Sequence, residues 1–218
     1  MCLLSQGAPK AATTAFAEAG GTVVVTFRSG VKDAANVVIT DRLPGVLKLL
    51  TGCIVEEYDA LMENESFPVD LVAPLPKKPA KAAVWCDQLR LAGAKPLAKY
   101  GDGPFKGTPA ATINRVGKGT VLYIGFQGDP AFYGILAKYL LHTHGLDSPF
   151  APSETVEITE RIKGKERFVF VLNHGAAEAK VKLPARTVWR DLLTGQKTGR
   201  ALNLDPYDVR ILTPIVSS

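Results

Sequence analysis

The sequence is poor in the residues that most often carry chemistry, with only three histidines and three cysteines in 218 residues. Cys2, Cys53 and Cys86 are an odd set without metal-like spacing, which argues against a disulfide framework and suits a reducing, cytoplasmic compartment. His142 and His144, two apart near a helix end, point to different sides, and His174 stands alone, so no metal site is expected. No apolar run approaches the roughly 20 residues that span a bilayer, so no membrane partner is expected. Met1-Cys2-Leu3-Leu4-Ser5 has neither a basic stretch nor a long apolar one, so no secretion signal is expected either. Gly117-Lys118-Gly119 is too short for a phosphate-cradling loop, and Gly20-Gly21 precedes a strand instead of opening a helix. No cofactor is therefore expected. The chain is also too short for a (β/α)₈ barrel of about 250 residues.

What is present is enough for a folded chain: 46% of the residues are hydrophobic and 22% charged. The net charge of +5 is spread along the chain, with 15 basic and 13 acidic groups in residues 1–150 and 11 and 8 in residues 151–218. The densest basic cluster, Lys77, Lys78 and Lys81, lies among prolines and reads as a solvated loop, so no nucleic-acid partner is expected.

Residues 8–19 are Ala-rich, with Pro9 suited to a first helical turn and Gly20-Gly21 to a stop, which predicts a helix. Thr22 to Phe27 is a β-branched run of the kind covered on both faces in a parallel sheet. A short helix over Pro44–Leu50 ends at Gly52, and strands follow over Cys53–Tyr58, Phe67–Val72 and Ala82–Trp85, joined by polar, Pro-rich loops. Ala110–Asn114 and Thr120–Phe126 flank Gly117-Lys118-Gly119 as a hairpin, and Ala131–His144 closes the region as a helix. This is a layered α/β domain over residues 1–150. After the linker-like stretch at 147–152 only strands are expected: 156–162, 167–173, 179–183, 187–191 and 209–214, with a tight turn at 193–195. Residues 151–218 thus read as a small antiparallel β-sandwich.

Few residues offer themselves for catalysis. Cys53 stands where some amidotransferase-like folds carry a nucleophile, but Ile54-Val55 follow it in place of the small residues a sharp elbow needs, so it reads as a buried strand cysteine. Glycoside hydrolysis needs two carboxylates across a cleft; Glu56 and Glu57 are adjacent on a strand and face opposite sides, and Asn64-Glu65 sits in a polar turn. Trp85, Tyr100, Tyr123, Trp189 and Tyr207 could stack on sugar, yet widely spaced aromatics are ordinarily core.

Several blocks in order carry a family resemblance. Ala17 through Asp33 (AEAGGTVVVTFRSGVKD), Leu43-Pro44-Gly45, Val55-Glu56-Glu57-Tyr58-Asp59, Pro109-Ala110-Ala111-Thr112 and Tyr123-Ile124-Gly125 resemble the middle, trimerisation domain of glycoside hydrolase family 42 β-galactosidases. Phe170 to His174, Trp189 to Gly195 and Leu204 to Arg210 resemble that family's small C-terminal β domain. The resemblance implies a flavodoxin-like domain, similar to class I glutamine amidotransferases without their catalytic residues, followed by the β-sandwich. It also implies that the barrel with the acid/base and nucleophile glutamates is absent from these residues, so no catalytic residue is assigned. Met1 to Ser5 falls where the family already has a strand and loop, so the opening strands are expected to be missing, by truncation, separate encoding or deliberate cutting.

The expected role is thus a non-catalytic scaffold of a β-galactosidase-like hydrolase, inactive alone, whose partners are copies of itself in a homotrimer and a barrel supplied elsewhere. Arg28, Ser29, Gly30 and Asp33 follow the carboxyl end of a strand, where ligands and partners of α/β sheets gather; the same residues equally make a plain turn with Arg28 in a surface ion pair. Two alternatives are a carbohydrate-binding module built on the C-terminal domain, and a cryptic hydrolase or amidotransferase using Cys53.

Overall fold

The computed structural model describes residues 8–33, 35–146, 149–150, 153–185 and 187–215. Cys2, the Met1–Ser5 opening and residues 147, 148, 151 and 152 of the linker-like stretch lie outside the described residues. The chain divides into two compact units, one ending at His144 and one beginning at Gly145.

In the first unit, α1 (Ala8–Glu18) stops where Gly20 takes a φ of 116° and the Gly21 N–H donates to the Phe16 carbonyl. The chain then enters β1 (Thr22–Thr26), and a 3₁₀ turn at Gly45–Leu47 leads into α2 (Lys48–Thr51). Strands follow as β2 (Cys53–Ala60), β3 (Ser66–Leu71), β4 (Lys81–Leu91), β5 (Lys95–Tyr100), β6 (Pro109–Val116), β7 (Gly119–Ile124) and β8 (Phe126–Gly128). α3 (Pro130–Thr143) closes the unit. Its start is written in the sequence: the Asp129 carboxylate accepts from the Phe132 N–H at 2.9 Å, and Pro130 occupies the first turn. A cap of this kind contributes about 1 kcal/mol.

The strands form one mixed sheet in the order β1-β7-β6-β5-β3-β4-β2, with β8 also paired to β4. β1 runs parallel to β7, from Thr22 opposite Thr120 to Thr26 opposite Ile124, as its β-branched run predicts. The remaining pairings in this sheet are antiparallel, so it is not the parallel sheet that run suggested. Cover on both faces does hold for β7, whose alternate residues feed two cores. Val121 and Tyr123 pack with Ala17, Leu47 and Leu50 from α1, the 3₁₀ turn and α2. Leu122 and Ile124 pack with Phe132 and Leu136 from α3. β1 differs: Val25 is buried while Val24 is 40% exposed.

Two further differences have local causes. β4 extends well past Trp85, to Leu91, and β5 replaces what reads as loop. In β5 Leu97 and Ala98 are both buried, because the register against β6 slips at that point and breaks the alternation a strand normally shows.

The second unit contains β9 (Val156–Lys163), β10 (Glu166–Asn173), β11 (Ala179–Lys182), β12 (Trp189–Asp191), β13 (Lys197–Thr198), β14 (Ala201–Leu204) and β15 (Val209–Pro214). An antiparallel sheet ordered β13-β12-β15-β10-β9 and a β11-β14 ribbon share one core of Val169, Val171, Val181, Trp189, Leu204 and Leu212. The 193–195 turn forms as expected: Gly195 has a φ of 73° and its N–H donates to the Asp191 carbonyl. Two short strands that the sequence pattern does not mark complete the sheets, β13 beside β12 and β14 beside β11.

Candidate functional site

Four aromatic and charged side chains meet where β1 ends beside β4. The Phe27 N–H still donates to the Ile124 carbonyl, continuing the sheet, and Arg28 then turns into the left-handed region at φ 61°. Ser29 is buried and its N–H closes the turn onto the Thr26 carbonyl at 3.2 Å. Gly30, at φ 71°, is required by contact: a Cβ there would lie 2.4 Å from the Pro44 carbonyl oxygen. This tight reversal puts the Arg28 guanidinium over the Trp85 ring, 4.7 Å from its centre.

Trp85 is aimed by a second irregularity. The pairing of β4 with β8 slips between Ala83 and Cys86, and within that bulge Val84 adopts φ 64°. For a β-branched residue this backbone is strained, at a cost of about 1 to 3 kcal/mol. The displaced Trp85 stacks on Tyr58 at 5.1 Å and lies near-parallel to Phe27 at 6.2 Å.

At the ring's edge lies Asp87, buried at 3% exposure. Its carboxylate accepts from the Trp85 indole N–H and from the Tyr123 hydroxyl, each at 2.8 Å. Burial pushes its pKa up to about 6, against the pull of those two hydrogen bonds and the Arg28 charge. Tyr100, whose hydroxyl donates to the Asp87 carbonyl, and Tyr123 are both driven up by burial. The cluster is thus a rigid, internally satisfied base, and Arg28, Tyr58 and Val84 are its exposed rim. Asp87 is shut off from solvent at the ring's edge, and among the described residues no group of three or more His, Cys, Asp or Glu could hold a metal ion.

The expected edge residues divide. Arg28, Ser29 and Gly30 build this corner, while the Asp33 carboxylate accepts from the N–H groups of Ala35 and Val37 in its own loop, both at 2.9 Å. Asp33 shapes the loop through one carboxylate oxygen. Arg28 lies over a ring and forms no ion pair among the described residues.

Other candidates have structural roles. Cys53 and Cys86 are buried free thiols, and burial raises the pKa of both, Cys86 to about 11, so neither is a thiolate nucleophile at neutral pH. Glu56 is held by Arg90 at 2.6 Å. His144 bonds Thr22 and His174 bonds Glu157, far apart in the sequence and in separate units. Trp189 is fully buried, which removes it as a stacking platform, whereas Tyr207 is 67% exposed. Trp85, Asp87 and Tyr58 were not anticipated as a group; the one signal was an acid placed directly after the apolar stretch Ala82-Ala83-Val84-Trp85-Cys86.

Comparison with known proteins assigns both units. The family model of the β-galactosidase trimerisation domain matches residues 1–147, and that of the β-galactosidase C-terminal domain matches residues 155–214. β-Galactosidase Pbg of Clostridium perfringens is 31% identical over 204 residues, covering 90% of this chain and 29% of that protein. β-Galactosidase LacA of Lactobacillus acidophilus is 33% identical over 200 residues, again 90% of this chain and 29% of that protein. The crystal structure of β-galactosidase from Bacillus circulans sp. alkalophilus superposes with a TM-score of 0.91 at 29% identity, over 98% of this chain and 32% of that one. The chain therefore spans about 29% of the length of these curated relatives. Two domain matches in order, and agreement in fold across nearly the whole chain, show that it belongs to glycoside hydrolase family 42, the β-galactosidase family, and carries that family's trimerisation and C-terminal domains.

Proposed function

We propose that this chain is a non-catalytic assembly scaffold that holds β-galactosidase catalytic units together as a homotrimer. The observation that carries the reading is the match of residues 1–147 to the trimerisation domain. The Arg28–Trp85 corner supports it, because backbone strain maintained at an exposed aromatic and cationic rim is characteristic of a recognition surface. In this reading residues 1–150 form a glutamine amidotransferase-like assembly domain and residues 151–218 a β-sandwich. A helix-covered sheet with a parallel β1–β7 pair supports the first, and two antiparallel sheets on one core the second. The catalytic barrel is supplied by another chain or another part of a longer one. Buried free thiols at Cys53 and Cys86 suit a reducing cytoplasm.

Light scattering over a concentration series tests the scaffold directly. One copy weighs 23.3 kDa, so a trimer reads about 70 kDa. A mass of one copy at every concentration overturns the reading.

The runner-up, a carbohydrate-binding role for the C-terminal domain, draws on the exposure of Tyr207 at φ 59°. Burial of Trp189 leaves that ring without its expected companion, so the scaffold reading is preferred.

A further inference from the structure

A groove of about 490 Å³ lies between α3 and the proline-rich segment that follows β3. Its walls are stiff and apolar: Pro74 and Pro76 have ring-fixed backbones, and Ile135 and Tyr139 project from one face of α3. The floor is open, since a Cβ added at Gly134 would meet no atom within 4 Å. Lys78 and Lys138 line it and no carboxylate does. Neither lysine has an ion-pair partner among the described residues. An apolar slot with two unneutralised cations fits an occupant with an apolar anchor beside acidic groups.

The same chain presents such an occupant at the opposite end of β3. Met62 is 75% exposed, next to exposed Glu63 and Glu65. The turn that carries it is preformed: the Glu65 N–H donates to the Met62 carbonyl at 2.9 Å, and the Glu65 carboxylate accepts from the Met62 N–H at 3.0 Å. A rigid turn loses little freedom on docking, and an unbranched methionine adapts to an irregular slot.

We propose that the Met62–Glu65 turn of one copy docks in the Pro74–Ile135 groove of the next, with Met62 in the apolar slot and Glu63 against Lys78 and Lys138. This rests on the self-assembly reading and deepens it. Two different patches on one chain meet head to tail, and such a contact repeated by a rotation that closes gives a ring.

Charge reversal of the 218-residue chain tests the contact, with assembly followed by light scattering in a dilution series. Lys78, Lys138 and Glu63 are exposed, so their reversal leaves the fold intact. K78E/K138E and E63K are each expected to raise the midpoint concentration of assembly by about tenfold or more. All three changes in one chain are expected to bring it back to within about threefold of the parent, because the attraction is restored with its sign exchanged. If the parent assembles but either reversal leaves the midpoint unchanged, or the combined variant shows no recovery, the docking is wrong and the scaffold reading stands. If the parent remains one copy at all concentrations, both fall together.

Discussion

The Trp85 indole N–H donates to the buried Asp87 carboxylate at 2.8 Å, and this bond ties the exposed rim of Arg28 and Tyr58 to the core of the first unit. Two residues apart on β4, they would face the same side of a regular strand; the adjoining bulge lets the ring turn outward over Tyr58 while the acid stays inside with Tyr123. The corner's properties should therefore respond to changes on either side of that bond.

Acid titration is the first expectation. Asp87 has a native pKa of about 6 against an ordinary 3.8, so the folded protein holds this proton more tightly than the unfolded chain. The stabilising contribution is complete below 3.8 and is lost as pH rises through 6, a change on the order of 3 kcal/mol. Asp87→Asn stays neutral throughout, so its stability relative to the parent should grow between pH 4 and pH 7. Urea midpoints of both proteins at several pH values check this, and parallel profiles would refute it.

Removing the cation should loosen the ring. Arg28→Ala is expected to cost about 0.5 to 1 kcal/mol, the worth of an exposed cation–ring contact. It should also shift tryptophan emission to longer wavelength as Trp85 gains solvent, Trp189 being buried in the other unit. Unchanged emission would mean that Arg28 does not cover the ring in solution.

Relieving strain should stabilise. Val84 sits at φ 64° and is 62% exposed, so Val84→Gly gives up little packing and removes the left-handed penalty of about 1 to 3 kcal/mol. Part of that gain is offset by the freedom glycine adds to the unfolded chain, leaving a net rise of about 1 kcal/mol. Loss of stability on chemical denaturation would show that the valine side chain, not the bulge geometry, matters here.

The neighbouring turn should tolerate no side chain. At Gly30 both φ 71° and a Cβ only 2.4 Å from the Pro44 carbonyl oxygen oppose Gly30→Ala, which should cost about 2 to 4 kcal/mol. A variant melting with the parent would show that the Arg28–Gly30 reversal can move away from Pro44.

Local chemistry wrote the elements that can be read without their neighbours. Thr22 to Thr26 is β-branched throughout and forms β1; Asp129-Pro130 caps α3; Gly52, at φ 63°, ends α2 as its position predicts. The turn over Arg28–Gly30 was legible as a turn because it follows a strand end and carries Ser29-Gly30. β5 was not, because two consecutive buried residues at a register slip erase the alternation that marks a strand. Strand direction was not legible either: only β1 against β7 is parallel in the first sheet, and direction depends on which distant segment a strand meets.

The sequence by itself determined two successive folding patterns, the family they belong to, and the scarcity of groups able to perform catalysis. Only the tertiary structure decided that Arg28 lies over Trp85, that Asp87 is buried at the edge of that ring, and that the Met62 turn and the Lys78–Lys138 groove stand at opposite ends of β3. The reason is physical: propensity, capping and hydrophobic period act over a few residues, whereas burial, strain and charge pairing depend on segments that meet only when the sheet has formed.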